Sequence, residues 1–106
     1  MDAPSRAKDD FPARLARAVA VLEDATLAAL DEGWLEPQRR RAHGIAVAVA
    51  DACRASGLDE TWGVARAIAS LLALPLEEVL TLEDALRDKF VELFGLLREK
   101  VRAISA

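Results

Sequence analysis

Three short interruptions decide what this chain can become. Residues 33–37, 57–58 and 74–75, which hold Gly33, Pro37, Gly57 and Pro75, cut the 106 residues into four segments. Each segment repeats apolar residues every three or four positions, so each buries a stripe only by coiling as an α-helix against partners. Gly33 and Gly57 are natural stops just past a helix, Pro37 suits a first turn, and Pro75 pushes Leu74 out of the helical region. Ala and Leu are the commonest residues, Tyr is absent and aromatics make up only 5%. That diet favours helices and withholds the residues that pack a sheet. Four amphipathic helices joined by short connections predict an all-α fold, an antiparallel up-down-up-down four-helix bundle.

The elements follow from the stripes. Residues 1–9 read as a flexible polar N-terminal tail, with Asp10 as an N-cap, Pro12 in the first turn, and residues 10–106 as a single domain. The first stripe comprises Phe11, Leu15, Ala18, Val19, Leu22, Thr26, Ala29 and Leu30, after which Trp34 and Leu35 plug the end of the bundle. In the second segment Ile45–Ala50 alternates with period two, yet the intervening alanines and the lack of a turn signal favour helix. Its core stripe is Ala42, Ile45, Val49, Ala52 and Cys53, and Glu36 pairs with Arg40. Asp59 caps the third helix, with Val64, Ala65, Ile68, Leu71 and Leu72 inward and Trp62 at the edge. The pattern leaves open whether residues 76–80 form a separate turn. Thr81 and Asp84 resemble a capping box before a last helix carrying Leu82, Leu86, Phe90, Leu93, Phe94, Leu97, Val101 and Ile104 on one side. Glu83 and Arg87 are spaced as an i,i+4 pair, and Gly95 implies close approach of a neighbouring helix. Leu27 stands off its stripe, where it marks either a self-association face or an ordinary exposed leucine.

Charge narrows the partners. A net charge of −4 repels a phosphate backbone, so nucleic acid is excluded as a general partner. Residues 77–92 are strongly acidic, whereas Arg39, Arg40 and Arg41 form a basic knot. Cys53 is the single cysteine, which excludes an internal disulfide and limits any metal site to one thiolate; no metal or cofactor is expected. No apolar run reaches the roughly 20 residues of a membrane span, and the polar start lacks a signal-peptide core. A cytoplasmic location without membrane contact follows as the expectation. Paired acids such as Glu77 and Glu78 read as a solvated face, and one histidine cannot build a di-metal bundle site.

The chemistry concentrates around the only histidine. At about 100° per residue His43 falls roughly opposite the Ile45/Val49 stripe, facing solvent in the middle of the second helix. Its expected surface neighbours are Arg39 and Arg40 before it, and Val47, Ala50 and Arg54 after it. Imidazole is nucleophilic while neutral, arginines hold phosphoryl oxygens, and an apolar strip gives a partner protein somewhere to dock. Together these suit a phosphoryl carrier with no catalytic machinery of its own. A solvated arginine-rich face carrying an ordinary surface histidine uses the same residues.

The layout resembles the histidine-containing phosphotransfer (HPt) domain of bacterial phosphorelays over nearly all of the chain after residue 10. The likeness rests on a long first helix, the acidic turn Asp31-Glu32-Gly33, Arg-Arg-Ala-His at positions 40–43, the Gly57-Leu58 turn, and two further amphipathic helices. The resemblance implies a four-helix bundle of two-component signalling in which His43 accepts a phosphoryl group. The implied donor is a response-regulator receiver domain or a histidine kinase. The family pattern continues His-x-x-Lys-Gly, and here Ala46 and Val47 stand in the Lys and Gly positions. Losing the lysine removes a charge beside the phosphoryl group, so Ala46→Lys is expected to raise transfer. The alternative is a non-catalytic helical interaction module, either a degenerate relative or an unrelated regulatory bundle, and a homodimer is compatible with both.

Overall fold

The computed structural model describes residues 3–105, with side chains for 11–104. Helices α1 (Ala3–Asp31), α2 (Glu36–Ala55), α3 (Asp59–Leu72) and α4 (Leu76–Ser105) follow one another with short turns. Helix α2 packs on α1 and α3, and α4 closes the square by packing on α3 and α1. This is the four-helix bundle the periodicity predicts, and no strand occurs among the described residues. The Ile45–Ala50 alternation sits inside α2 as helix.

Two of the three junctions end in the same way. At the end of α1 the Trp34 N–H donates to Ala29 O (2.7 Å) and the Gly33 N–H to Leu30 O (3.4 Å). At the end of α2 the Leu58 N–H donates to Cys53 O (2.9 Å) and the Gly57 N–H to Arg54 O (3.1 Å). Each pair is a Schellman closure, which needs a left-handed residue, and Gly33 and Gly57 supply it with φ of 85° and 73°. Trp34 follows at φ 62°, an uncommon conformation for a bulky residue. It is held by burial at 3% exposure, by tilted packing on Phe90 at 6.3 Å, and by an Nε1–H bond to Leu74 O at 2.9 Å. Trp34 is thus both plug and tie between the α1–α2 and α3–α4 turns, whereas Leu35, expected to plug beside it, is 53% exposed.

The core runs the length of the square. Leu15, Val19, Leu22 and Ala29 of α1 meet Ile68 and Leu72 of α3 and Phe90, Phe94, Leu97 and Val101 of α4 in one buried cluster. Thr26 is buried there without an orphaned hydroxyl, because its Oγ1 donates to Leu22 O at 2.8 Å. Leu27, off-stripe in the sequence, is half-buried and packs against this cluster.

Several local expectations are corrected. Helix α1 begins at Ala3, so residues 3–9, expected as a tail, are helical, and Pro12 lies inside the helix. Arg6, Ala7 and Lys8 are good helix formers, which outweighs the proline signal further on. Asp10 falls seven residues inside α1 and so is not its N-cap. Leu58, not Asp59, occupies the N-cap of α3; Asp59 and Glu60 instead place negative charge in the first turn. Residues 76–80 are helical and join the rest of α4 across a kink at Leu82 (φ −117°, ψ 20°), which leaves Leu82, expected on the inner stripe, 50% exposed. Thr81 Oγ1 donates back to Glu77 O at 3.1 Å, and no backbone N–H of the following segment bonds to it among the described residues. Arg87 bonds Asp31 of α1 at 3.2 Å rather than Glu83, and a Cβ at Gly95 would meet nothing within 4 Å. The chain's single cysteine is buried as expected, and burial pushes the Cys53 thiol up from its ordinary value of 9.0.

Candidate functional site

The orientation of α2 decides what His43 can do. Its buried residues are Ala42, Ala46, Val49, Ala50 and Cys53, while Ile45 is only half-buried. At about 100° per residue the centre of this set lies about 60° from the Ile45/Val49 axis. His43 therefore sits on the flank of the helix, half-buried, rather than opposite the core. Ala50, expected on the surface beside it, is in the core at 6% exposure, and Ala46 is fully buried. Size explains the rotation. Alanines at 42, 46 and 50 let helix backbones approach, and on the wheel they lean towards α3, the side on which Arg39 and Arg54 reach Leu72 O and Trp62. The larger Ile45 is left at the wider α1–α2 junction.

The flank facing α3 is organised by arginines. Arg39, half-buried, donates from Nη1 to Leu72 O at 3.1 Å and so caps a carbonyl at the C-terminal end of α3. Arg40, one turn before His43, pairs with Glu36 on the exposed surface as the spacing predicts. Further along α2, Arg54 lies 5.4 Å from the centre of the Trp62 ring, and Arg66 lies 5.2 Å from it. Trp62 thus bridges α2 and α3 between two guanidinium groups. Val47 is 39% exposed.

Among the described residues the His43 imidazole has no hydrogen-bond partner. Its nitrogens are also not among the buried unpaired polar atoms, where Gln38 Oε1 is found, so they remain open to solvent. The half-buried ring thus keeps both nitrogens unclaimed by any described group. Arg39, Arg40 and Val47 of the expected constellation surround it within about one turn. Arg54 lies three turns on and is engaged with Trp62, and Ala50 is removed to the core.

A second feature escaped the sequence reading. The outer junction of α1 and α2 is an open groove of about 610 Å³ with Phe11, Leu15, Ile45 and Val49 along it and Arg14, Arg40 and Arg41 among its walls. The partial exposure of Ile45 and the alanines at 48 and 52 create it, a consequence of the same rotation that flanks His43. No cluster of three or more potential metal ligands occurs among the described residues. No described helix is long and apolar enough to cross a membrane. Compared with known proteins, the chain matches no family model, no curated protein and no solved structure.

Proposed function

We propose that this domain is an HPt-like phosphorelay component that carries a phosphoryl group on His43 while docked to a response-regulator receiver domain or a histidine kinase. The observation that carries the reading is the imidazole itself: mid-helix on a rigid bundle, nitrogens open to solvent and unclaimed by any described hydrogen bond. In the transfer step a ring nitrogen lone pair forms the N–P bond as the P–O bond to the partner's aspartyl carboxylate breaks. The carboxylate leaves with that electron pair, and the ring's N–H proton passes to water. Arg40 is well placed to meet phosphoryl oxygens, because its pair with Glu36 is exposed on both sides and exchanges at small cost. Arg39, anchored to Leu72 O, adds a fixed positive charge one turn away. The activating metal and acid–base groups belong to the partner, since this chain contributes a nucleophile and its cations only.

The test is transfer from a panel of phosphorylated receiver domains, read as acid-labile label on the chain, with His43→Gln as control. Label on the wild type that His43→Gln abolishes is the expected result. Label equal in both proteins refutes the carrier role. A second reading, a bundle that binds such partners without accepting phosphate, is favoured by Ala46 and Val47 in place of the family's Lys-Gly pair. Receiver binding with no label on either protein selects it.

A further inference from the structure

We infer that copies of this chain associate head to tail, with the start of α4 of one copy seated in the α1–α2 groove of the next. Two surfaces left open among the described residues carry the inference. Leu76, Leu80 and Leu82 are 46%, 67% and 50% exposed within one short stretch, where exposed leucines ordinarily occur singly. They are interleaved with Glu77, Glu78, Glu83 and Asp84, all exposed. The groove offers the complement: an apolar surface of Phe11, Leu15, Ile45 and Val49 beside Arg14, Arg40 and Arg41. Apolar side chains meet apolar wall while acids meet arginines, which is the pattern that fixes register and steers encounter.

The geometry favours a second copy over the chain's own groove. Val79, 4% exposed, pins the start of α4 to its own bundle, between the exposed leucines on either side in sequence. Leu76 and Leu80 are four residues apart and share one helical face, and the kink at Leu82 ends this short segment. The two surfaces differ, so the contact is heterologous: each copy uses its groove for one neighbour and its leucines for another. Such contacts build open chains unless the rotation closes a ring. Arg40 is common to this groove and to the His43 face, whereas Arg41 and Leu80, the positions tested below, have no part in holding phosphate.

The experiment is sedimentation equilibrium of the full chain over a concentration series, at low and at physiological salt. The wild type is expected to grow beyond monomer with concentration, and less so as salt screens the exposed charges. Arg41→Glu in the groove and Leu80→Lys on α4 are each expected to weaken association by about tenfold or more. Both positions are exposed, so both variants should keep the wild-type circular dichroism; Arg14→Glu replaces Arg41→Glu should that variant fail to fold. The decisive arm is the mixture. Arg41→Glu retains working leucines and Leu80→Lys retains a working groove, so together they should form a two-chain complex and nothing larger. A wild type that stays monomeric at every concentration, variants that remain monomers when mixed, or a dimer indifferent to both substitutions overturns the proposal.

Discussion

The seam between α2 and α3 makes a sharp claim about Ala46→Lys, the substitution that would restore the lysine of the HPt pattern. Ala46 is fully buried, in line with Ala42 and Ala50, and has no acidic neighbour on its own buried face. A lysine there must either stay charged in the core or give up its proton. Taking the second course at pH about 7, some 3.4 units below its ordinary value of about 10.4, costs about 4–5 kcal/mol at 1.36 kcal/mol per unit. Four added methylenes in a seam sized for alanine add about 1–3 kcal/mol of overpacking. The expected loss is therefore about 5–8 kcal/mol, against about 5–15 kcal/mol of total stability for a domain of ordinary size. A stem that bends to the edge of the seam sets the lower figure. Urea denaturation followed by far-UV circular dichroism measures it, with Ala48→Lys, exposed on the same helix, as a control expected within about 0.5 kcal/mol of wild type. The sign of the pH dependence is a second check. The unfolded chain binds the extra proton and the folded one does not, so the deficit shrinks as pH rises from neutral towards about 10. An Ala46→Lys protein with the same midpoint as Ala48→Lys, or one that weakens further towards alkaline pH, refutes the placement of α2.

Other outcomes follow from single positions. Gly95→Ala fills open space on a helix and should raise stability by about 0.5–1 kcal/mol in the same denaturation assay. Trp34→Ala removes a buried ring and its bond to Leu74 O, and should cost about 3–5 kcal/mol, read as a large fall in thermal midpoint. Cys53, fully buried, should react with thiol reagents only as fast as the protein opens. Because burial raises its folded value above 9.0, its contribution to stability holds below that pH and is lost as pH climbs through the higher value, which alkaline melts would show.

The architecture was legible because its signals are local. Gly33 and Gly57 sit where a left-handed residue must close a helix, Pro75 breaks the chain, and each stripe repeats within its own segment. Even the plug at Trp34 could be read, since a large aromatic directly after a helix stop has an end of the bundle to fill. The site was less legible, for a physical reason. A helical wheel weights large residues, and it took Ile45 and Val49 as the inward axis. The seam with α3 selected the small residues Ala42, Ala46 and Ala50 instead, and so moved His43 to the flank. Contacts between helices were equally hidden: Arg87 with Asp31, Arg39 with Leu72 O, and Arg54 over Trp62 depend on where a second helix lies. The groove was invisible for the same reason, since half of it comes from each of two segments.

One consequence of the bonds from Trp34 to Leu74 O and from Arg39 to Leu72 O concerns how this end of the molecule comes apart. Both reach the same few residues where α3 gives way to α4, from opposite sides of the turn into α2. Neither hairpin can fray without releasing the other, so amide exchange across residues 33–37 and 72–75 should share one opening free energy, and a protease that nicks one turn should find the other exposed in the same event.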